Sequence, residues 1–350
     1  MLIEKIKEPL SNGKEIYKIF FKNDNDYSVT FYNFGGYIHS INIPYKNDIN
    51  QNEDVLLGYN NFNEYKLDSS YLNCIIGRVC NRISNSNFFI NDNKYTLFSN
   101  IKPHHLHGGK EGFNKKIWKI KNLDQSSAKV SCVLEYISPH LEEGYPGTLN
   151  CEATYSLNNN NEFEINFVAE SDQDTIINLT NHNYWNFHGH QNHYKNITDH
   201  FVKIDSDLYC ALDEDLIPTG KILKTKESKF DFSSGKFIDQ KLLKRGGIDL
   251  CYCINETNNN LKRVGSIFSD ITKMGVIYYT NQPGLQFYTG NMMKDYYKGK
   301  NLKIYGKQFG VCFEPQLFPD SINNRNFKNP ILLKGKKYNS IIKMKLKNDF

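Results

Sequence analysis

Two short segments, far apart in the chain, each place a titratable side chain in a frame of polar and aromatic residues. Residues 181–186 contain His182, and residues 313–320 contain Glu314. A histidine and a carboxylate that meet in one cleft can remove a proton from one oxygen and donate a proton to another. The sequence therefore indicates acid/base chemistry on a polyhydroxylated substrate.

The neighbours of each residue favour a site, although each keeps a structural alternative. His182 follows a predicted strand over 175–180 and precedes two aromatic residues, and rings beside amides suit the apolar faces and hydroxyls of a pyranose. A core histidine bonded to an asparagine is the alternative. Glu314 lies between Phe313 and Pro315, where burial would raise the affinity of its carboxylate for a proton. A solvent-facing glutamate at a strand end is the alternative.

Two further segments supply donors that suit sugar oxygens. Residues 77–82 are interpreted as an apolar strand that carries Arg78 and Arg82; we expect Asn81 and Arg82 to line the site and Arg78 to be structural. His107 precedes two glycines, which let the backbone approach a ligand, so its imidazole could donate to a sugar oxygen. A histidine in a surface loop is the alternative for His107.

The histidine cluster also raises a metal hypothesis. His105, His107 and Glu111 match the ligand spacing of the first cupin motif, but Ser99 and Trp118 stand where that motif needs glycines. No second cupin motif follows, and a metal site needs three or four convergent ligands. We therefore expect no metal. A metal-dependent cupin-like enzyme stays as a rival class that elemental analysis would decide.

The composition indicates which partners and which cellular compartment we expect. The 350 residues include 43 basic and 38 acidic side chains, and the net charge of +5 is spread without a basic block, so we expect no nucleic-acid partner. No window approaches the ~18 apolar residues of a membrane span, and the first residues lack the apolar stretch of a signal peptide. The eight cysteines show no paired CxxC spacing and are expected to be buried thiols. We expect a cytoplasmic protein that does not bind membranes.

Alternation of apolar and polar residues dominates the chain. It is clear over 130–136, 151–157, 163–169 and 342–346, and it predicts strands with one buried face. A hairpin is predicted over 88–97 with its turn at 91–93, and one short helix over 61–66. We predict an all-β protein, a single antiparallel β-sandwich domain over 1–350. Asn-rich loop insertions are expected at 46–53, 158–161 and 255–260.

Together these segments resemble the aldose 1-epimerase (galactose mutarotase) family in residues and in order, from about residue 27 to residue 346. The matching stretches are GRVCNRI at 77–83, LHGG at 106–109 with Gly112, Phe113 and Trp118, EGYPGTL at 143–149, Asn181-His182 with Tyr184 and Asn186, GID at 247–249, QPGLQFYTGN at 282–291, and Phe313-Glu314 through 318–320 with Asn323. One such motif is weak; this many in order are specific.

The resemblance implies a galactose mutarotase-like supersandwich with an open cleft for an unphosphorylated hexose and no cofactor. Position by position, it makes Glu314 the general base at the C1 hydroxyl and His182 the general acid at the ring oxygen. The substrate-binding residues that it implies are Asn81, Arg82, His107, Asp249 and Gln286. A protonated His182 beside an ionised Glu314 is the expected charge state, and it predicts a bell-shaped pH profile.

Three departures from the family pattern bear on this resemblance. Leu250 and then Cys251 follow the substrate-binding aspartate, Pro315 follows the carboxylate, and Trp185 replaces a smaller residue. The first and last are expected to affect which sugar fits. Two alternatives on the same fold also stay open: a carbohydrate-binding protein without activity, and a hexose-6-phosphate epimerase, which would need a basic pocket for the phosphate.

Overall fold

The computed structural model describes residues 1–9, 15–191, 193–254, 260–293 and 297–350. From the N-terminus, the first elements are β1 (Leu2–Lys7), β2 (Tyr17–Lys22), β3 (Ser28–Tyr32), β4 (Ile38–Tyr45), β5 (Asp48–Asp54), α1 (Phe62–Lys66), β6 (Ile75–Ile76), β7 (Arg82–Ile83), β8 (Asn87–Ile90), β9 (Asn93–Thr96) and β10 (His105–Leu106). Short 3₁₀ turns cover Ser84–Ser86, Phe113–Lys115, Glu142–Gly144 and Lys300–Leu302.

Among the described residues, nearly all regular elements in the middle and at the end of the chain are strands. The middle forms β11 (Lys119–Gln125), β12 (Lys129–Ser138), β13 (Leu149–Asn158), β14 (Glu162–Ser171), β15 (Thr175–Ile176), β16 (Thr180–Asn181), β17 (His200–Ile204), β18 (Leu208–Leu212), β19 (Pro218–Lys224), β20 (Lys236–Phe237) and α2 (Gln240–Lys244). The last part forms β21 (Asp249–Cys253), β22 (Lys262–Ser269), β23 (Gly275–Thr280), β24 (Gly284–Tyr288), β25 (Tyr297–Lys298), β26 (Ile304–Tyr305), β27 (Cys312–Gln316), β28 (Ile331–Leu332) and β29 (Lys337–Lys347).

Three large sheets carry the architecture of the described residues. A nine-stranded sheet has the order β11-β12-β13-β14-β29-β23-β22-β17-β20, and two five-stranded sheets have the orders β1-β2-β3-β4-β5 and β19-β18-β21-β24-β27. Their ladders are antiparallel. One apolar cluster joins all three sheets: Phe31 from the first five-stranded sheet, Phe163 and Met344 from the nine-stranded sheet, and Phe287 and Phe313 from the second five-stranded sheet. The predicted all-β antiparallel sandwich is confirmed.

Several local predictions are also confirmed. The hairpin of β8 and β9 turns at Asn91 and Asp92, whose φ angles of 48° and 65° are ones that Asn and Asp tolerate. Helix α1 begins after Asn61, whose side chain accepts from the backbone N–H of Asn63, and the side chain of Glu64 completes a capping box. Residues 158–161 form the turn between β13 and β14. Part of the Asn-rich stretch predicted at 255–260 lies outside the described residues.

Other local predictions are wrong. Most of the loop predicted at 46–53 belongs to β5, because pairing with β4 overrides the weak strand propensity of its polar residues. The strand predicted over 77–82 is not formed: β6 ends at Ile76, β7 begins at Arg82 and pairs in a different sheet, and Asn81 between them has a left-handed φ of 61°. The strand predicted over 175–180 consists of two short pieces, β15 and β16, and α2 was not predicted. Single-domain organisation over 1–350 stays a prediction.

Two further predictions from the sequence concern the cysteines and membrane-spanning segments. Each of the eight cysteines is a free, buried thiol, as expected. Among the described residues, no helix has the length and apolar composition that crossing a bilayer would need.

Candidate active site

Three neighbouring strands of the second five-stranded sheet present polar side chains on one face. Gln286 on β24 is the direct register partner of Glu314 on β27. Asp249 on β21 lies diagonally across from Gln286, whose Nε2 donates to its Oδ1 at 2.6 Å. Because side chains alternate between the two faces of a sheet, register places these three groups together. They form the floor of the candidate site.

His182 reaches this floor from the end of β16. Its backbone is fixed by two hydrogen bonds: His182 N donates to Cys74 O at 3.1 Å, and Asn73 N donates to His182 O at 3.0 Å. The imidazole stacks on Tyr184 with ring centroids 4.8 Å apart. Its Nε2 lies 3.5 Å from Oε1 of Glu314, and both side chains are buried. The histidine and the carboxylate that the sequence singles out for acid/base chemistry therefore meet in one site.

His107 and Asn81 line the cavity from segments where the backbone is left-handed, and the ring of His107 lies 5.4 Å from that of His182 between centroids. Asn81 and His107 have φ angles of 61° and 52°. The backbone N–H of Asn81 donates to Nδ1 of His107 at 3.2 Å, so Nε2 carries the proton and is free to donate. Gly108 follows at a φ of 84°, and a Cβ there would lie 1.8 Å from the carbonyl oxygen of Gly77. His107 is therefore a positioned, buried group, and the surface-loop alternative is wrong.

All seven predicted site residues line one cavity of about 310 Å³. They are Asn81, Arg82, His107, His182, Asp249, Gln286 and Glu314. Sequence reasoning did not single out several further lining residues: Ser69, Ser70, Tyr71, Asn100, Ile101, Leu106, Tyr288, Met292 and Met293. Tyr288 could have been found, because alternation from Gln286 along β24 puts it on the same face. Tyr71 carries no such signal, since it lies outside the strands with a φ of 58°.

Burial raises the pKa of both acidic side chains that line the cavity. The pKa of Glu314 is raised well above its usual range, mainly by burial and then by the nearby charge of Asp249, while Arg82 acts to lower it. The pKa of Asp249 is also raised by burial, against opposing effects of Arg82 and the hydrogen bond from Gln286. Arg82 is thus the group that favours the ionised form of both acids.

Burial acts in the opposite sense on the imidazoles. It lowers the pKa of His182 to about 4, and it lowers the pKa of His107 well below its usual range, with help from His182 and Arg82. In the free cleft, burial therefore favours a neutral imidazole and a protonated carboxyl over the ion pair. The expected charge state, a protonated His182 beside an ionised Glu314, stays a prediction, and the burial of both groups opposes it.

Arg78 is structural, as expected. Its guanidinium donates to the carbonyl oxygens of Pro146 at 2.8 Å and Gly147 at 3.0 Å, and to Oγ of Ser138 at 2.6 Å. The side chain is buried and does not line the cavity. A guanidinium that satisfies three backbone and hydroxyl acceptors holds the surrounding segments together.

The cupin-like trio does not converge. His105 is held by Phe98 O at 2.8 Å on Nδ1 and by Tyr145 Oη at 2.6 Å on Nε2, so both of its ring nitrogens are occupied. Glu111 is exposed on the surface. Across the part of the chain that the structure describes, no group of three or more His, Cys, Asp or Glu side chains could hold a metal ion.

Two of the sequence departures lie away from the cavity. Trp185 is fully buried in the core, where its Nε1 donates to Tyr278 Oη at 2.7 Å. Leu250 follows Asp249 on β21 and so faces the opposite side of the sheet. Neither residue lines the cavity of the site, so neither contacts a sugar bound there.

Comparison with known proteins identifies the family. Residues 17–345 match the family model described as aldose 1-epimerase. This chain belongs to the aldose 1-epimerase family. It is 35% identical to the galactose mutarotase of Mus musculus, over 94% of this chain and 93% of that one, and 36% identical to the galactose mutarotase of Bos taurus, over 81% of each. The resemblance noted from the sequence motifs is confirmed.

Solved structures agree with this family assignment. The crystal structure of an aldose epimerase homologue from C. elegans superposes with a TM-score of 0.85 at 26% identity, and the match covers 95% of this chain and 99% of that one. The aldose 1-epimerase fold is therefore shared over nearly the whole length of the chain.

Proposed function

We propose that the protein is an aldose 1-epimerase that interconverts the α and β anomers of a free hexose, such as glucose or galactose. The observation that carries the proposal is the approach of His182 Nε2 to Glu314 Oε1, 3.5 Å apart on the wall of a 310 Å³ cavity. A donor and an acceptor of protons at that separation can serve two oxygens bonded to the same carbon.

The reaction needs only the transfer of protons. Glu314 removes the proton of the C1 hydroxyl while His182 protonates the ring oxygen, and the ring opens to the aldehyde. Rotation about the C1–C2 bond and closure with the reverse transfers give the other anomer. Each opening needs a protonated His182 and an ionised Glu314, and Arg82 favours this arrangement because it stabilises the ionised carboxylate.

The remaining cavity residues are proposed to bind sugar hydroxyls. His107 offers its Nε2–H as a donor, because its Nδ1 is engaged by Asn81. Gln286 offers its Oε1, a buried acceptor without a hydrogen-bond partner in the described residues. Asp249 can accept from a hydroxyl beside Gln286. Buried polar atoms of this kind discriminate strongly in favour of ligands that complete their hydrogen bonds.

The alternatives fit less well. A hexose-6-phosphate epimerase needs cations around the phosphate, but Arg82 is the one lysine or arginine among the described lining residues, and two carboxylates lie beside it. A sugar-binding protein without activity would not need a buried acid and base in contact. No cofactor is proposed. We propose a cytoplasmic location, because eight buried thiols without disulfides suit a reducing compartment.

Polarimetry tests the function directly. Freshly dissolved α-D-glucose or α-D-galactose should change optical rotation faster with protein than in buffer, and Glu314→Gln or His182→Asn should each remove the acceleration. For residues that act as a unit, each single change should cost orders of magnitude in turnover. Rates equal to buffer with folded wild-type protein would favour the binding protein instead.

A further inference from the structure

The segment that carries His182 runs antiparallel to β27, the strand that carries Glu314. Trp185 forms an antiparallel bridge with Val311, and N–H···O bonds of 2.9 Å join the two residues in both directions. Three residues further along each segment, Nε2 of His182 lies 3.5 Å from Oε1 of Glu314. The register of the bridge therefore continues to the acid/base pair, His182 and Glu314.

The same register places Thr180 opposite Gln316, beyond the acid/base pair. At the far end of the two segments, the side chain of Asn178 accepts from Leu317 N at 2.9 Å and donates to Leu317 O at 3.3 Å. Between these anchors β16 packs against β27. Side chains two residues apart on a strand share a face, and directly opposed residues have Cβ atoms about 5 Å apart. Thr180 and Gln316 are therefore neighbours on the face that the acid/base pair uses.

Three neighbouring side chains on this face end in buried polar atoms that lack a hydrogen-bond partner in the described residues. Thr180 and Gln316 are fully buried, and their unpartnered atoms are Oγ1 and Nε2. Oε2 of Glu314, two residues before Gln316 on β27, is the third. Roughly nine in ten or more of the buried polar groups in proteins are paired, so three such atoms on adjacent positions indicate a shared partner.

The chemistry of the three atoms fits one water molecule. A water can accept from the amide N–H of Gln316, donate to the carboxylate of Glu314, and take either role toward the hydroxyl of Thr180. Buried waters typically make about three hydrogen bonds to groups of this kind. The amide of Gln316 is already fixed at its other end, because Oε1 accepts from Sγ of Cys80 at 3.1 Å. Its Nε2 is therefore the donor that stays available.

A sugar in the cavity cannot be this partner. Oε2 of Glu314 is buried, although the residue lines the cavity. Neither Thr180 nor Gln316 lines that cavity. The shared partner therefore belongs to an enclosed site behind the carboxylate, on the side away from the substrate.

From this arrangement we infer that Thr180 and Gln316 hold one buried water molecule against Oε2 of Glu314, and that they act through it as positioning residues for the base. The inference rests on the proposed function, because Glu314 must be the base. A base that alternates between ionised and protonated forms needs a partner that can donate to one form and accept from the other. A water and a hydroxyl can reverse their hydrogen bonds without any movement of heavy atoms.

Other titratable groups act on Glu314 from the elements packed around it. Burial is the main cause of its raised pKa; Asp249 raises this pKa further, and Arg82 lowers it. His182 lies against its Oε1. The remaining titratable side chains that interact electrostatically with it are Cys80, Tyr184, Tyr278, Tyr288 and Cys312. A change at Thr180 alters none of these groups, so its effect on a pH profile reports on the hydroxyl.

Two substitutions at Thr180 separate the inferred role from packing. Thr180→Val keeps the branched shape and removes the hydroxyl, whereas Thr180→Ser keeps the hydroxyl and removes the methyl group. In polarimetry with α-D-glucose, Thr180→Val should lower kcat about tenfold at unchanged KM. It should also move the alkaline limb up by about one pH unit, because the ionised carboxylate loses a supported donor. Thr180→Ser should match the wild type. Equal effects of the two changes, or an impaired serine variant beside an active valine variant, would overturn the inference.

Two further variants complete the series. Thr225→Val is the matched control, because Thr225 is also fully buried with an unpartnered Oγ1 but follows β19 and does not line the cavity. It should keep the wild-type kcat and alkaline limb. Gln316→Met removes the amide at similar length and should reproduce the effects of Thr180→Val. An alkaline limb that Gln316→Met leaves unmoved would overturn the inferred role of Gln316.

A high-resolution crystal structure of the wild type tests the water itself. One ordered water should lie about 3 Å from each of the three atoms. A direct hydrogen bond from Nε2 of Gln316 to Oε2 of Glu314, with no water between them, would overturn the inference even for an active enzyme. If the wild type did not accelerate the mutarotation of glucose, the proposed function and the positioning role would both fail, and the crystal structure would still decide whether the water is bound.

Discussion

Replacing Glu314 by glutamine is expected to abolish epimerisation and, at the same time, to stabilise the fold at neutral pH. The side chain of Glu314 is 2% exposed, and its Oε2 has no hydrogen-bond partner in the described residues. Burial and the charge of Asp249 raise its pKa well above 4.5, the usual value. An ionised carboxylate is therefore unfavourable at this position, although catalysis requires it.

The sign and size of the effect follow from proton linkage. An acid with a raised pKa in the folded chain binds its proton more tightly there than in the unfolded chain. The free energy of unfolding therefore falls as the pH rises from the unfolded pKa to the folded pKa, and it is constant above that. Each unit of separation costs about 1.4 kcal/mol. A glutamine side chain binds no proton, so the free energy of unfolding of Glu314→Gln does not fall in this way. At pH 8 the variant should therefore be more stable than the wild type by the free energy of unfolding that the wild type has lost.

Urea unfolding at pH 5 and pH 8 measures the difference. The two buried tryptophans, Trp118 and Trp185, report unfolding by fluorescence. Glu170→Gln, a change at an exposed position of β14, is the matched control and should follow the wild type at both pH values. A stability gap between wild type and Glu314→Gln that is the same at pH 5 and pH 8 would refute the burial argument.

The other predictions concern the reaction. His182→Asn should lower kcat by orders of magnitude with the urea midpoint nearly unchanged, as polarimetry and unfolding curves would show. The rate should fall below about pH 4, where His182 and Glu314 both become protonated, and again above the raised pKa of Glu314; a rate that is level to pH 2 would contradict this. Arg82→Met should move the alkaline limb to higher pH, because Arg82 lowers the pKa of Glu314; an unmoved limb would show that its charge does not reach the carboxylate. Activity should survive dialysis against a chelator, and its loss would revive the metal-dependent class.

The sequence predicted the strand residues on the floor of the site better than the residues of the turns around it. Glu314 and Gln286 belong to regular strands, where alternation and flanking apolar residues determine which side chains share a face. His182 follows a short strand and was found through the density of amides around it. Tyr71, which was not predicted, lies in a turn with a positive φ angle that only contacts distant in sequence can impose, and the left-handed backbone of Asn81 was not predicted although its place in the site was. Local pattern does not encode such contacts.

The limits of local sequence patterns also explain which predictions about the fold were wrong. The chain over Asp48–Asp54 is polar because β5 is an edge strand, and edge strands with polar side chains read as loops in a single sequence. Helix α2 has five residues with only Leu242 and Leu243 buried, too short for helical periodicity to appear. The lowered pKa of His182 could not be predicted either, because desolvation depends on neighbours that residue types alone do not specify.

The opposing shifts of His182 and Glu314 suit a reaction that must run in both directions. Opening and closing the ring require the same two transfers in reverse order, so the pair must return its proton after each half-reaction. Burial favours the arrangement with a neutral imidazole and a protonated acid, whereas Arg82 favours the ionised carboxylate. Because these effects oppose each other, the two arrangements are closer in free energy than burial alone would make them. A hydrogen bond from a sugar hydroxyl to Glu314 can then move the proton to His182, which ties the catalytic charge state to the presence of substrate.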